Sequence, residues 1–145
     1  MSKADVRLDG DIPHISIRPR PWRRLKTASS ERDIPLVGSA LWGITRAYQS
    51  TNSEMLFPRY NDGVSTNSNS ASAALSKWLK QQTNPECTMH SFRHSFRDRL
   101  RAVECPIELT DALGGWSADG IGAAYGQGYS LQLKQKWLSA IVLKP

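Results

Sequence analysis

Hydrophobic and polar residues alternate near the start of the chain and recur at helical spacing after it. Between Ile12 and Arg18 the alternation has a period of two, which indicates a half-buried strand. Prolines and a Ser-rich stretch then predict turns, and residues 32–36 predict a short returning strand. We therefore predict a small antiparallel sheet with a basic hairpin, whose cationic residues are Arg18, Arg20, Arg23, Arg24, Lys26 and Arg32.

The remainder of the chain shows the spacing of amphipathic helices. Helices are predicted over residues 39–49, 70–82, 91–103, 106–113 and 130–141, with a long polar loop over residues 52–70. Ser39 is the expected N-cap of the first helix, and Gly114-Gly115 is the expected end of the fourth. In the second helix we expect burial of Ala71, Ala74, Leu75, Trp78 and Leu79. The predicted fold class is α+β, mostly α-helical with a small antiparallel β-sheet near the N-terminus.

Composition and charge narrow the possible partners. The 145 residues suffice for one domain, and a net charge of +6 with a pI near 9.6 favours nucleic acid first and an anionic membrane surface second. Two cysteines are too few for a disulfide scaffold. The start of the chain lacks the apolar stretch of a signal peptide, and no apolar run approaches membrane-spanning length. We expect a cytoplasmic protein that associates with nucleic acid and not with a membrane.

Candidate chemistry lies in four segments in a fixed order. His90-Ser91-Phe92-Arg93-His94 opens a basic helix, and Gly114-Gly115-Trp116 follows the next helix. Tyr125 comes nine residues after Trp116, and Lys26 lies upstream in the basic hairpin. This order resembles the C-terminal part of the tyrosine recombinase (phage integrase) family, most of which has a histidine where Trp116 stands. The resemblance extends from about Asp5 to the end of the chain.

The resemblance implies site-specific DNA recombination or integration by strand cleavage and rejoining. Tyr125 would attack the phosphodiester and form a 3′-phosphotyrosyl link, which preserves the bond energy for rejoining. Arg93 offers a planar fork of donors, and the Trp116 indole N–H can donate but cannot act as a base. His90 can donate or transfer a proton, and Lys26 would be the acid for the departing 5′ oxygen. The resemblance implies neither a metal nor a nucleotide cofactor.

The same resemblance implies double-stranded DNA as the partner. We expect Arg23, Arg24, His94 and Arg97 to contact DNA. The last predicted helix, over residues 130–141, is expected to dock on a neighbouring subunit and to form a homo-oligomer on DNA, although packing on its own core would produce the same apolar stripe.

Each candidate has a purely structural interpretation. His90 could brace its helix, Trp116 could belong to the core, and Tyr129 competes with Tyr125 as the nucleophile. Lys26 shares its hairpin with two arginines. The order Cys87, His90, His94 and Cys105 has a zinc-like spacing, but the arginines of the same helix disfavour a cation.

The family's first active-site arginine and its N-terminal DNA-clamping domain have no match in this sequence. We therefore expect residues 1–145 to form a partial catalytic domain, which could be inactive alone. A non-catalytic DNA-binding remnant and a relative of the type IB topoisomerases are the alternatives.

Overall fold

The computed structural model describes residues 1–27, 30–116 and 128–143. Within that part, a small sheet precedes a set of helices, which confirms the predicted α+β class. The elements in chain order are a 3-10 helix Lys3–Asp5, β1 Val6–Arg7, β2 His14–Ile17, β3 Arg32–Pro35, α1 Gly38–Gln49, α2 Ser68–Gln82, α3 Met89–Ala102, α4 Ile107–Gly114 and α5 Leu131–Ala140. The described residues contain no helix that is both long and apolar enough to span a membrane.

The sheet is antiparallel and has the order β1-β2-β3. Ile15 of β2 pairs with Val6 on one side and with Ile34 on the other, so these three apolar side chains share one face. The strands β2 and β3 confirm the predicted hairpin. β1 was not predicted, because two residues are too short to show a period.

The core lies between the helices at the C-terminal end of the chain and β3. Its buried members are Leu100, Cys105, Leu109, Leu113 and Leu138. Ile34 and Val37 pack against this cluster from the sheet side. Thus α3, α4 and α5 contribute to one core, and β3 forms its boundary.

Two details of the helices differ from the prediction. Helix α1 begins at Gly38 after the extended residue Val37, and no side chain caps it, so Ser39 is not its N-cap. In α2 only Leu79 is buried, while Leu75 and Trp78 are exposed. The spacing of these apolar residues is helical, but spacing alone does not show whether another element covers the face.

Candidate functional site

Helix α3 presents the basic motif on one face. The backbone N–H of Thr88 donates to Ser91 Oγ at 3.1 Å, which secures the start of the helix. His90, Arg93, His94 and Arg97 follow at intervals of three and four residues, the spacing of neighbours on a helix surface. The rings of His90 and His94 are in edge-to-face contact, with centroids 4.9 Å apart. Both histidines and Arg93 are exposed, and Arg97 is half-buried.

The end of α4 places Trp116 against that face. Gly115 adopts the left-handed conformation (φ 63°) and ends the helix, as predicted. The backbone N–H of Trp116 then donates to the carbonyl of Asp111 at 2.9 Å, which turns the chain back along the helix. A Cβ atom at Gly114 would lie 2.5 Å from the Trp116 ring, so this close return requires glycine.

Two guanidinium groups stack on the Trp116 indole. The Cζ atoms of Arg93 and Arg97 lie 4.6 and 4.9 Å from the centroid of that ring. The ring of Phe96 lies in tilted contact at 6.3 Å. Cation–π contacts at this range orient the indole as well as the arginines. The structure therefore brings the second and third candidate segments together, and Trp116 is half-buried rather than sealed in the core.

Arg97 also faces the carboxylate of Asp111 on α4. Arg97 Nη2 lies 3.5 Å from Asp111 Oδ1, yet within the described part of the chain neither Arg97 Nε nor Asp111 Oδ1 has a hydrogen-bond partner. Buried polar atoms normally have partners. The ion pair therefore leaves hydrogen-bonding capacity of both side chains unused.

A third arginine, Arg32 of β3, approaches the same place from the sheet. Its Nε donates to the carbonyl of Leu113 at 3.1 Å and its Nη1 donates to that of Ser30 at 2.8 Å. A longer contact of 3.4 Å joins Nη2 to the carbonyl of Gly114. Burial, and then the positive charge of Arg93, lower the pKa of Arg32 below its usual value. Sequence reasoning assigned Arg32 only to the hairpin. The available signal was a charged residue that opens a strand whose other half, Ile34 and Pro35, is apolar.

The hairpin that contains Lys26 is fixed at its base by a buried carboxylate. Asp5 is fully buried, and its Oδ1 accepts hydrogen bonds from Arg20 Nε and Nη2 at 2.9 and 2.6 Å. Arg23 Nη2 contacts Asp5 Oδ2 at 3.3 Å and donates to the carbonyl of Arg18 at 2.7 Å. Two of the hairpin arginines are thus engaged within the fold.

Lys26 and Arg24 are exposed in the connection between β2 and β3. Among the described residues, no hydrogen bond or ion pair joins Lys26 to Trp116 or to the arginines around it. Tyr125 lies outside the described residues. Its competitor Tyr129 precedes α5 and is exposed.

The zinc interpretation has no support in the described part of the chain. Cys87 is half-buried and Cys105 is buried among core leucines, each as a free thiol. No group of three or more His, Cys, Asp or Glu side chains in that part is arranged to hold a metal ion.

A comparison with protein families identifies the family of the chain. The model of the phage integrase family matches residues 1–129, which covers α3, α4, Trp116 and Tyr125. No match was found among curated proteins or among solved structures.

Proposed function

Because the chain belongs to the phage integrase family, we propose that it cleaves and rejoins DNA through a 3′-phosphotyrosyl intermediate during site-specific recombination. The family acts on DNA and consists of recombinases. The proposed step is strand cleavage by Tyr125.

The observation that supports this proposal is the convergence of cations at Trp116. Arg93 and Arg97 stack on the indole, and Arg32 lies close enough for the charge of Arg93 to lower its pKa. Among the described residues, the one ion pair made by any of these three arginines is that of Arg97 with Asp111. Such an excess of positive charge suits a bound anion, and the forked guanidinium suits a phosphate in particular.

The chemistry requires each group in a definite role. As the Tyr125 oxygen attacks phosphorus, the phosphodiester passes through a five-coordinate state with additional negative charge, which preorganised donors stabilise. Arg93 and the Trp116 indole N–H donate to the non-bridging oxygens. His90 accepts the phenol proton, and Lys26 protonates the 5′ oxygen as the P–O5′ bond breaks. Rejoining reverses these transfers, so no other reactant is consumed.

Two surfaces remain for partners. Arg24 is exposed on the hairpin and His94 is exposed on α3, and we assign both to contacts with the DNA backbone. Helix α5 packs on its own sheet, so a homo-oligomer formed through this helix would use the outward side, where Leu133 and the following Leu143 are exposed.

The test is covalent capture on DNA. The chain is incubated with a pool of nicked duplexes of random sequence. Cleavage near the nick releases a short strand, and rejoining is prevented because the 5′ hydroxyl of that strand diffuses away. We expect an SDS-stable protein–DNA adduct that is lost in Tyr125→Phe and retained in Tyr129→Phe. An adduct that persists in Tyr125→Phe would contradict the assignment of the nucleophile.

Absence of any adduct, together with salt-sensitive DNA binding, would favour the non-catalytic remnant. Relaxation of supercoiled plasmid by the monomer would favour the topoisomerase alternative.

A further inference from the structure

We propose that Arg32 is a positioning residue, which sets the orientation of the Trp116 indole at the phosphate site by holding the end of α4. This inference rests on the proposed function, since it assigns Arg32 to the orientation of a phosphate donor. Arg32 does not belong to the motifs His90–His94, Gly114–Trp116 or Tyr125.

The guanidinium of Arg32 links the sheet to the last turn of α4. It donates to the carbonyls of Leu113 and Gly114, which lie at the end of that helix, and to Ser30 in its own hairpin. Carbonyls at a helix C-terminus have no partners within the helix and have partial negative charge. A cation with several donors in one plane satisfies such a group of acceptors, whereas an ammonium is a single point of charge.

The turn of Gly114 and Gly115 is closely packed against both Arg32 and Trp116. A Cβ atom at Gly115 would collide with the Arg32 guanidinium, and one at Gly114 would collide with the Trp116 ring. Gly115 therefore packs directly against the arginine, and Gly114 packs directly against the indole. Displacement of the guanidinium opens space beneath Gly115, and the turn that determines the direction of the indole is then free to shift.

The same residue connects Trp116 to the hairpin of Lys26. Arg32 begins β3, the strand that follows the connection containing Lys26. One side chain thus links the strand after this connection to the turn that carries the proposed oxyanion donor. Because Arg32 is half-buried and its assigned hydrogen bonds end on carbonyls, it does not need to touch the DNA to affect the reaction.

The first measurement needs no catalysis. The indole N–H signal of Trp116 is identified in a ¹⁵N-labelled chain by its loss in Trp116→Phe. We expect this signal to move in Arg32→Met and to move less in Arg32→Lys. The matched control is Arg18→Met, which removes another half-buried cation of the hairpin that pairs with Asp33 and does not touch α4. An unchanged Trp116 signal in Arg32→Met, or an equal change in Arg18→Met, would overturn the proposal.

The second measurement is the rate of adduct formation in the covalent capture assay. With saturating DNA, we expect Arg32→Met to slow the rate ~10–100-fold, the usual effect of losing a group that orients a ligand-contacting residue. The affinity for DNA should change far less, and Arg32→Lys should recover part of the rate. Equal losses of rate and affinity would overturn the positioning role.

The two measurements separate the two proposals. If adducts persist in Tyr125→Phe, or never form, the proposed function fails, and the Trp116 signal still decides whether Arg32 orients the indole. If adducts depend on Tyr125 but form at the normal rate in Arg32→Met, the function stands and the role of Arg32 is wrong.

Discussion

The indole of Trp116 is held by cations as much as by apolar neighbours. Arg93 and Arg97 stack on its ring, and among the described residues Phe96 is its one aromatic contact. Each cation–π contact contributes about 0.5–2 kcal/mol, depending on how far water is excluded. Binding of phosphate to these arginines would therefore alter the surroundings of Trp116, so that the indole responds to the ligand.

Gly115 provides the sharpest test of the turn. Gly115→Ala places a side chain at φ 63° and against the Arg32 guanidinium, so we expect a loss of roughly 1–3 kcal/mol in the free energy of unfolding. The matched control is Gly43→Ala within α1, where an added Cβ meets nothing within 4 Å. That change should increase stability by about 0.5–1 kcal/mol, because alanine favours the helix. Urea unfolding of both variants measures the difference, and equal effects would contradict the geometry.

Asp5 predicts how stability depends on pH. Burial alone would raise the pKa of this carboxyl, but the hydrogen bonds from Arg20 and from the backbone of Ser2, with the charge of Arg23, hold it below the usual value. A carboxyl with a lowered pKa stabilises the fold above its unfolded pKa of ~3.9, and this contribution is lost as the pH falls through the folded pKa.

We therefore expect Asp5→Asn to lose roughly 2–3 kcal/mol at pH 7, below the usual cost of breaking a buried pair because both arginines are partly exposed. The difference from the parent chain should shrink between about pH 5 and pH 2. Thermal unfolding across this range is the measurement, and a constant difference would show that the charge of Asp5 is irrelevant. Some acid sensitivity should remain, because Asp33 also has a lowered pKa.

At the scale of elements, the sequence predicts those features that depend on local chemistry. The end of α4 at Gly115 and the start of α5 at Ser130, whose Oγ accepts from the N–H of Leu133, follow from the residues themselves. The contacts of Arg32 with α4 could not be predicted, because these two acceptors lie 81 and 82 residues away in the chain. The exposure of Trp78 was also not predicted, because helical spacing of apolar residues does not show whether another element packs on that face.

In the structure, helix α5 packs against β3 and contributes to the core. Leu138 is buried in the main cluster, so Leu138→Ala should cost ~2–4 kcal/mol through the cavity it leaves. Leu133 lies on the outward side of the same helix, and Leu133→Ala should cost less than about 1 kcal/mol. Chemical denaturation compares the two, and a similar small effect of both would mean that α5 is not docked on its own chain.

At the scale of the whole molecule, the net charge of +6 makes DNA binding depend on salt. Arg24 is exposed, so Arg24→Gln should reduce the slope of log affinity against log salt by about one and leave stability unchanged. Arg23→Gln should instead reduce stability, because Arg23 is bound to Asp5 and to the Arg18 carbonyl. Fluorescence anisotropy with a random-sequence duplex between about 50 and 200 mM salt measures the slope for Arg24→Gln and for the parent chain. An unchanged slope in Arg24→Gln would show that Arg24 does not contact the DNA backbone.

The position of β3 has a consequence for how the protein is made. The strand is hydrogen-bonded through Arg32 to the end of α4 and through the Asp33 carbonyl to Lys134 of α5, a residue 101 positions later. Contacts between such distant parts of a chain form late, because a long loop must close before they are gained. During synthesis the N-terminal sheet therefore leaves the ribosome well before its covering helix exists. The apolar face of β2 and β3 therefore stays uncovered during translation until α5 has emerged, and a chaperone that shields this face would improve the yield of folded protein.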